Sequence, residues 1–494
     1  MSLIRNRVSI AGVFVTAITV TNAFFLLLVV GASANPYIGI FAYVLFPAVA
    51  AVGLLLVPLG VILERRRRRK LAPGEIPRHF RIDLNVPFIR HAALAATGFT
   101  FLVVVASATA SYRAYRFTDT VTFCGETCHT PMKPEFTAYR HSPHARVACV
   151  ACHVGPGAGW FVRSKLTGSY QVYAVMFDVY PRPIATPIKF LRPVRAACEQ
   201  CHWPEKFYGE QLKVFTHYAS DETNTPTQIS MLIKTGGGGG GEFIRPEGIH
   251  WHMAIANQVQ YIATDKQEQN IPWIEVMGRN GRMVDYVARD GSLTPKQIET
   301  MPKQVVDCVT CHSRPSHKFL TPDEAVNEAL AAGDLDSSLP YLKSEAVRVL
   351  TDSYPSAERA AMGIATGLDR FYYEKYPQVY RDKQPEITQA IATVQGIYQD
   401  NIFPYMKVDW RTHPDNLGHL YYQGCFRCHD GQHVATDGSG RTIPSTCNTC
   451  HTILSQGPPQ QAANAGGAVT FTHPIDLSGM PTASCSACHS GGTM

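Results

Sequence analysis

No cysteine in this chain stands alone. The 14 cysteines fall into seven pairs, and a histidine follows each pair at once. Six pairs read Cys-x-x-Cys-His, and the first is longer by one residue, Cys124-Gly-Glu-Thr-Cys128-His129. A disulfide framework does not account for that histidine, and 14 cysteines in 494 residues is not a disulfide-dense composition. Zinc sites and a single thioredoxin-like redox pair are excluded by the same regularity.

Cys-x-x-Cys-His is the attachment signature of c-type haem, in which two thiols bond to the haem vinyl groups and the histidine binds the iron. The sequence therefore predicts seven covalently bound haem c groups. The predicted attachment residues are Cys124, Cys128, Cys149, Cys152, Cys198, Cys201, Cys308, Cys311, Cys425, Cys428, Cys447, Cys450, Cys485 and Cys488. The predicted proximal ligands are His129, His153, His202, His312, His429, His451 and His489.

Charged residues are absent from two long stretches, Val8 to Leu63 and Ala92 to Tyr112. A helix needs about 20 apolar residues to cross a bilayer. Because Gly31 to Tyr37 is a polar, proline-containing break, we predict three transmembrane helices, at about residues 8–31, 37–63 and 91–112. Ala32-Ser-Ala34 resembles a signal-peptidase site, so cleavage after the first helix stays open; it would not change the orientation of the others.

The basic residues are unevenly distributed. Residues 1–112 carry a net charge of +8 and the rest of the chain carries −2. The excess lies mainly in the loop from Arg65 to Arg90, which is not the footprint of a nucleic-acid-binding protein. Positively charged loops remain in the cytoplasm. We therefore predict a multi-pass inner-membrane protein of a bacterium, with its haem region in the periplasm, and no nucleic-acid partner.

The fold class predicted is mainly α with much irregular structure: three transmembrane helices plus a multihaem domain with a small β-containing insertion. The spacing of the motifs divides the chain into a membrane region (1–112), a three-haem module (113–205), an insertion with the fourth motif (206–320), a helical scaffold (321–405) and a C-terminal three-haem module (406–494).

Local patterns fill in this division. Met231–Ile233, Glu242–Ile244 and Met283–Val287 are strand-like, whereas the glycine run 236–241 is typical of a flexible loop. Helices are predicted from Pro322 and over 361–373 and 387–397, the first with Ala325, Val326, Ala329 and Leu330 on its apolar face.

Six ordinary haems each need a second axial ligand, and ten histidines lie outside the motifs in the predicted periplasmic region: His141, His144, His217, His250, His252, His317, His413, His419, His433 and His473. We favour as distal ligands His144, His252, His317, His419, His433 and His473. The choice between His250 and His252 stays open. Iron bound by two histidines has no free position, so such haems pass electrons and bind no substrate.

The first motif differs from the others. Met132 lies three residues after His129, and methionine is an axial ligand that raises the reduction potential. The alternative is that Met132 only fills the core. If neither a methionine nor a histidine closes the sixth position, this iron is open.

The stretch Phe123-Cys-Gly-Glu-Thr-Cys-His-Thr-Pro-Met-Lys-Pro-Glu-Phe-Thr-Ala-Tyr139, followed by Ser142 to His153 and Gly155 to Lys165, resembles the NapC/NirT family of membrane-anchored quinol dehydrogenases. The resemblance covers about residues 90–205. Three membrane helices and seven motifs are more similar to the ImcH type of inner-membrane cytochrome from metal-reducing bacteria than to simpler members, which have one helix and four haems. The chain departs from the family's usual first motif by its extra residue.

The resemblance implies oxidation of menaquinol at the membrane surface beside the first haem, with Lys165 at the quinol pocket. It implies two partners, the membrane quinol pool and periplasmic c-type cytochromes, and leaves a homo-oligomer open. The carboxylate that the family places after this lysine has no clear counterpart, since the matching region reads Gly168-Ser-Tyr-Gln171 and Asp178 follows later.

Two other functions stay open. One is a terminal reductase of a small substrate such as nitrite, although no motif has lysine in place of histidine. The other is an electron conduit that is fed by a partner protein and has no quinol site.

Overall fold

The structure, a computed structural model, describes residues 4, 6–30, 46–68, 84–127, 129–155, 158–186, 192–203, 206–237, 248–253, 258–277, 281–291, 293–462, 467–474 and 485–492. The described chain is mostly helical, with irregular regions and small sheets. It divides into two compact units, Met1–Thr127 and Cys128–Met494. The five-part division made from the sequence remains a prediction.

The first unit contains three long helices, α1 (Arg7–Val30), α2 (Phe46–Arg68) and α3 (Pro87–Phe117). Two segments within them, Arg7–Phe24 and Phe46–Arg67, are long and apolar enough to cross a membrane. The predicted third span lies within α3, but in the described part of the chain α3 does not meet the same criteria. A third span therefore remains a prediction.

Helices α1 and α2 pack closely through small residues. A Cβ atom added to Gly12 would lie 2.6 Å from the carbonyl oxygen of Gly53, and one added to Gly60 would meet Ser9. The Ser9 hydroxyl donates to the carbonyl oxygen of Val57 at 2.8 Å. Glycines that let backbones approach and hydroxyls that bond between helices are typical of helix pairs in membranes.

The second unit begins with helices in the region of the first three motifs. These are α4 (His129–Arg140), α5 (Cys149–His153), α6 (Ala158–Met176) and α7 (Val194–Cys198). The later helices are α8 (Pro295–Thr300), α9 (Cys308–Cys311), α10 (Pro322–Ala332), α11 (Leu342–Thr351), α12 (Ala357–Lys375), α13 (Pro377–Asp382), α14 (Gln384–Asn401), α15 (Pro459–Ala462) and α16 (Cys485–Cys488).

Helices α10 to α14 form the main apolar core, where the sequence predicts helices. Val326, Leu342, Ile364, Leu368 and Val394 are fully buried in it. Helix α10 begins as its sequence dictates, because the Thr321 hydroxyl accepts the amide of Glu324 at 3.0 Å, with proline next in the chain.

Two antiparallel sheets connect segments that are distant in sequence. One has the order β1 (Gln211–Tyr218), β2 (Pro226–Ile233) and β8 (His451–Gly457). The other has the order β6 (Gln304–Val305), β3 (Val259–Ile262), β4 (Trp273–Met277), β5 (Met283–Ala288) and β7 (His433–Ala435). Strands β7 and β8 come from the C-terminal module and complete sheets of the insertion. The strand-like runs at 231–233 and 283–287 lie in β2 and β5, while Glu242–Ile244 lies outside the described residues.

Candidate haem-ligand sites

Most of the attachment motifs form a single helical turn. Helices α5, α9 and α16 and the 3-10 turns Gly424–Arg427 and Cys447–Thr449 carry five of them. One such turn brings the two cysteines of a pair to the same side, with the histidine directly after. The fourth motif shows how its sequence starts the turn, because the Asp307 carboxylate accepts the amides of Val309 at 3.0 Å and Thr310 at 3.1 Å.

The first motif has a different backbone. Phe123–Thr127 is a π-helical turn, which accommodates the extra residue between Cys124 and Cys128. Such turns occur frequently at functional sites. Cys128 and the side chain of His129 lie outside the described residues, and Met132 is half-buried in α4. The axial ligands of a haem at this motif therefore remain predictions.

Each of the other six motif histidines faces one histidine from another part of the chain. The ring centres are 5.9–6.5 Å apart. In motif order the pairs are His153 with His317, His202 with His144, His312 with His250, His429 with His252, His451 with His419, and His489 with His473.

These separations fit haem iron. A metal–imidazole bond is about 2 Å long and the ring centre lies about 1 Å behind the nitrogen, so two histidines on opposite sides of one iron have centres roughly 6 Å apart. Six pairs at this separation, each containing a motif histidine, fit six haems with two histidine ligands each.

Hydrogen bonds fix the tautomer of several of these rings. Nδ1 donates to a backbone carbonyl oxygen in each case: His144 to Pro315 (3.1 Å), His250 to Thr235 (2.5 Å), His252 to Ile249 (2.7 Å), His317 to Glu135 (3.0 Å) and His429 to Pro444 (2.7 Å). A proton on Nδ1 leaves the lone pair of Nε2 free for a metal.

The protonation state also suits ligation, because only a neutral imidazole binds iron. Burial lowers the pKa of His153, His252, His312, His317, His419, His429, His451 and His489.

The structure brings five of the six favoured distal histidines opposite a motif histidine, and it does not bring His433 there. His433 is 2 % exposed, its Nδ1 is 2.9 Å from the Asp430 carboxylate and its Nε2 is 2.7 Å from the carbonyl oxygen of Ile271. Both nitrogens are therefore engaged within the protein. Burial disfavours the charged ring, but these two bonds outweigh burial and raise the pKa of His433. The place opposite His312 belongs to His250.

Three further histidines have other contacts. His141 lies 3.8 Å from the Asp400 carboxylate, His217 lies 3.0 Å from the amide of Asn327, and His413 lies 3.0 Å from the hydroxyl of Thr186. In the described part of the chain, none of the three faces a motif histidine.

Neighbouring motifs lie next to each other in sequence order. Helices α5 and α7, which carry motifs two and three, are in contact. Helices α7 and α9, which carry residues of motifs three and four, are in contact. Arg427 of motif five donates to the carbonyl oxygen of Thr310 in motif four at 2.6 Å.

The last three motifs also lie next to each other in sequence order. Phe426, inside motif five, stacks on His419, which faces the histidine of motif six, with ring centres 4.3 Å apart. Burial raises the pKa of Cys485, and the neighbouring Cys447 of motif six adds to this. Motifs two to seven therefore form one continuous series.

The chain is similar to known cytochromes c. Residues 88–186 match the model of the NapC/NirT cytochrome c family, N-terminal region. The chain is 41% identical over 488 residues to the cytochrome c-type protein ImcH of Geobacter sulfurreducens, covering 98% of this chain and 95% of that protein. This chain belongs to the NapC/NirT family of cytochromes c. No solved structure matches it.

Membership of the NapC/NirT family confirms the resemblance found in the sequence. It establishes a c-type cytochrome with covalently bound haem c that acts in electron transfer. The number of haems, the oxidation of quinol and the identity of each axial ligand remain proposals.

The lysine expected at the quinol pocket of this NapC/NirT chain lies on α6. The side chain of Lys165 is outside the described residues. The same helix exposes an apolar stripe at helical spacing, with Leu166 at 69%, Tyr170 at 65%, Tyr173 at 52% and, just beyond its end, Phe177 at 61%. Asp178 is ion-paired with Arg182.

The sequence contained signals for two features that counting histidines missed. The spacing of Leu166, Tyr170, Tyr173 and Phe177 is a helical periodicity, and it marks the exposed stripe. The second signal is Asp430, three residues before His433, which identifies that histidine as hydrogen-bonded to a carboxylate.

Proposed function

We propose that this chain is a membrane-anchored heptahaem cytochrome that oxidises menaquinol and passes the electrons to periplasmic c-type cytochromes. The observation that carries the proposal is the set of six facing histidine pairs, in motifs that lie side by side in sequence order. Membership of the NapC/NirT family supports the membrane anchor.

The histidine pairs account for the transfer of electrons. Bound haem supplies one-electron chemistry at each motif. The chain's own residues place two imidazoles opposite each other at each of motifs two to seven, which would leave no ligand position for a substrate. This supports transfer rather than catalysis at these six motifs, and it disfavours a terminal reductase there.

The apolar stripe of α6 supports a quinol site at the membrane surface. Tyrosine and other amphipathic side chains are enriched where a protein meets the lipid headgroups, and a helix with an exposed apolar face lies in that interface. Quinol arrives through the lipid, so a lysine on this helix is well placed to meet it. We propose that Lys165 binds the quinol and assists removal of its protons.

The test is the rate at which a menaquinol analogue reduces the purified protein in detergent. We expect Lys165→Met to slow this reduction at least tenfold, while dithionite still reduces every haem. The matched control is Lys375→Met, since Lys375 is an exposed lysine at the end of α12. Equal rates for both variants and the unaltered protein would contradict the role of Lys165.

Electron paramagnetic resonance of the oxidised protein, with and without a quinol-site inhibitor, separates the alternatives. One high-spin signal that shifts with inhibitor, beside six low-spin haems, supports quinol oxidation at the first haem. Seven low-spin haems whose signals do not change with inhibitor indicate an electron conduit that is fed by another protein. Steady turnover of nitrite with an artificial donor indicates a terminal reductase.

A further inference from the structure

The fourth and fifth attachment motifs are joined by a buried arginine. Arg427 stands directly before the second cysteine of motif five, and Thr310 occupies the same position in motif four. The guanidinium of Arg427 donates from Nη2 to the carbonyl oxygen of Thr310 at 2.6 Å. The backbone that carries one attachment turn is thus held directly by a side chain of the other.

The ligand side of the two motifs is joined as well. The 3-10 turn Ile249–Met253 carries both His250, which faces His312 of motif four, and His252, which faces His429 of motif five. Because His250 and His252 are only two positions apart in the chain, the haems that they would bind at motifs four and five cannot lie far apart. This step rests on the proposed function, because it takes the facing histidines as haem ligands.

The charge of Arg427 is buried and has no ion-pair partner in the part of the chain that the structure describes. The residue is 6 % exposed. Its other nitrogens donate to the carbonyl oxygens of Gly424 and Glu268, at 2.9 Å each. Each nitrogen of the guanidinium thus donates to a carbonyl oxygen, but three carbonyl dipoles do not cancel a full positive charge, and a buried charge acts strongly on its neighbours.

We propose that Arg427 sets the reduction potentials of the haems at motifs four and five and raises both. Reduction adds one electron to the iron and removes one positive charge from the site, so a fixed cation nearby favours the reduced state. The pair then forms an acceptor at the point where electrons leave the N-terminal four motifs and enter the C-terminal module. This use of the charge differs from a purely structural clamp, which would leave the potentials unchanged.

The experiment is an optical redox titration of the full-length holoprotein in detergent, with chemical reductant and mediators. We expect Arg427→Met to lower two midpoint potentials, with the equilibrium constant for reduction of each haem falling at least tenfold, about 59 mV for a one-electron couple. Arg427→Lys keeps the charge and should recover most of this shift. The matched control is Arg381→Met, since Arg381 is exposed on α13 and far from every motif in sequence.

Unchanged potentials in a holoprotein with its full haem content would overturn the proposal, and so would an equal shift of all the haems. Should Arg427→Met lose haem, Arg427→Gln keeps an amide donor and is titrated in its place. The titration needs no quinol, so it can succeed even where quinol oxidation fails. If the unaltered protein shows no low-spin haem signals, the histidine ligation on which the inference rests is refuted instead.

Discussion

Two histidines of the insertion and C-terminal module look alike in the sequence and differ in their surroundings. His250 faces His312 with its Nδ1 bonded to the carbonyl oxygen of Thr235, whereas both nitrogens of His433 are bonded within the protein. The two replacements should therefore have different consequences for the haems. We expect His250→Ala to turn one low-spin haem into a high-spin haem, and His433→Ala to leave every haem low-spin. Electron paramagnetic resonance of the two variants decides this; a high-spin signal in the His433 variant would contradict the assignment.

The angle between paired rings makes a further prediction at the scale of single residues. The rings of His250 and His312 are nearly parallel, at 4°, whereas those of His252 and His429 are nearly perpendicular, at 88°. Parallel ligand planes split the iron π orbitals, and perpendicular planes leave them nearly equal in energy. We expect His250→Ala to remove a rhombic low-spin signal and His252→Ala to remove a strongly anisotropic one. If His250→Ala and His252→Ala lose the same signal, the pairing of these two histidines with different motifs is contradicted.

The sequence predicts seven attachment motifs and the number of distal ligands that they need, but it does not predict which histidine serves which motif. His317 faces His153 across a long stretch of chain that contains two other motifs. Pairing of this kind is set by tertiary packing, which leaves no local pattern. His433 was among the favoured histidines, but its two ring nitrogens are hydrogen-bonded to Asp430 and Ile271.

At the scale of elements, a buried ion pair joins helices α10 and α11. The ammonium of Lys343, whose side chain is 1% exposed, lies 2.8 Å from the Asp323 carboxylate, and the hydroxyl of Tyr421 donates to the same carboxylate at 2.6 Å. Lys343→Met removes the cation beside the Asp323 carboxylate, which keeps its hydrogen bonds from Tyr421 and Asn327 and lies 3.7 Å from His217. The loss of this buried charge partner should lower the free energy of unfolding by about 3 kcal/mol. The measurement is unfolding followed by circular dichroism.

The control for this pair is Lys375→Met on α12, which should change stability by less than about 0.5 kcal/mol because the side chain is exposed.

The pH dependence of stability is a second test of this ion pair. Burial would raise the pKa of Asp323, but Lys343 outweighs it, and the pKa lies below its ordinary value of 3.8. The stabilisation is therefore complete above pH 3.8 and is lost as the pH falls through the lower, folded value. Equal acid stability with and without Lys343 would contradict this.

The close contact of α1 and α2 gives a prediction for the membrane region. Gly12→Val places side-chain atoms where the carbonyl oxygen of Gly53 is only 2.6 Å from a Cβ, so the two helices must separate. The control is Gly98→Val in α3, where a Cβ would meet no atom of the described residues within 4 Å. We expect the Gly12 variant to lose resistance to proteolysis in detergent and the Gly98 variant to keep it. Equal resistance would show that the contact does not stabilise the protein.

The elements themselves were predictable to different degrees. The helices of the scaffold follow from an apolar period of 3.6 residues and a threonine–proline start, and the structure has a helix there, Pro322–Ala332. Strand β2 was predicted only at its end, and its pairing with β8 was not predicted at all. Strand pairing depends on which segments meet in space, and helices α10 to α14 separate the C-terminal strands from the insertion in the sequence.

At the scale of the whole molecule, the order of contacts between motifs determines how electrons can travel. Phe426 of motif five stacks on His419, which faces the histidine of motif six, and Cys447 of motif six is a neighbour of Cys485 in motif seven. In the proposed series the seventh predicted haem is therefore the last, and the sixth is its neighbour. Removing the sixth should isolate the seventh, whereas removing the seventh should leave the rest of the series continuous.

This difference can be measured with two double variants, Cys447→Ser/Cys450→Ser and Cys485→Ser/Cys488→Ser, each of which should retain six of the seven predicted haems by mass spectrometry. Stopped-flow reduction with a menaquinol analogue then counts the haems that are reduced in the fast phase. Without the seventh haem, all six remaining haems should be reduced quickly, because each still has a reduced neighbour. Without the sixth, five should be reduced quickly and the seventh slowly, since its electron must cross the gap left by its neighbour. If both variants reduce six haems at the same rate, electrons reach the seventh haem by another route, and the sequence-ordered series is not the path that they take.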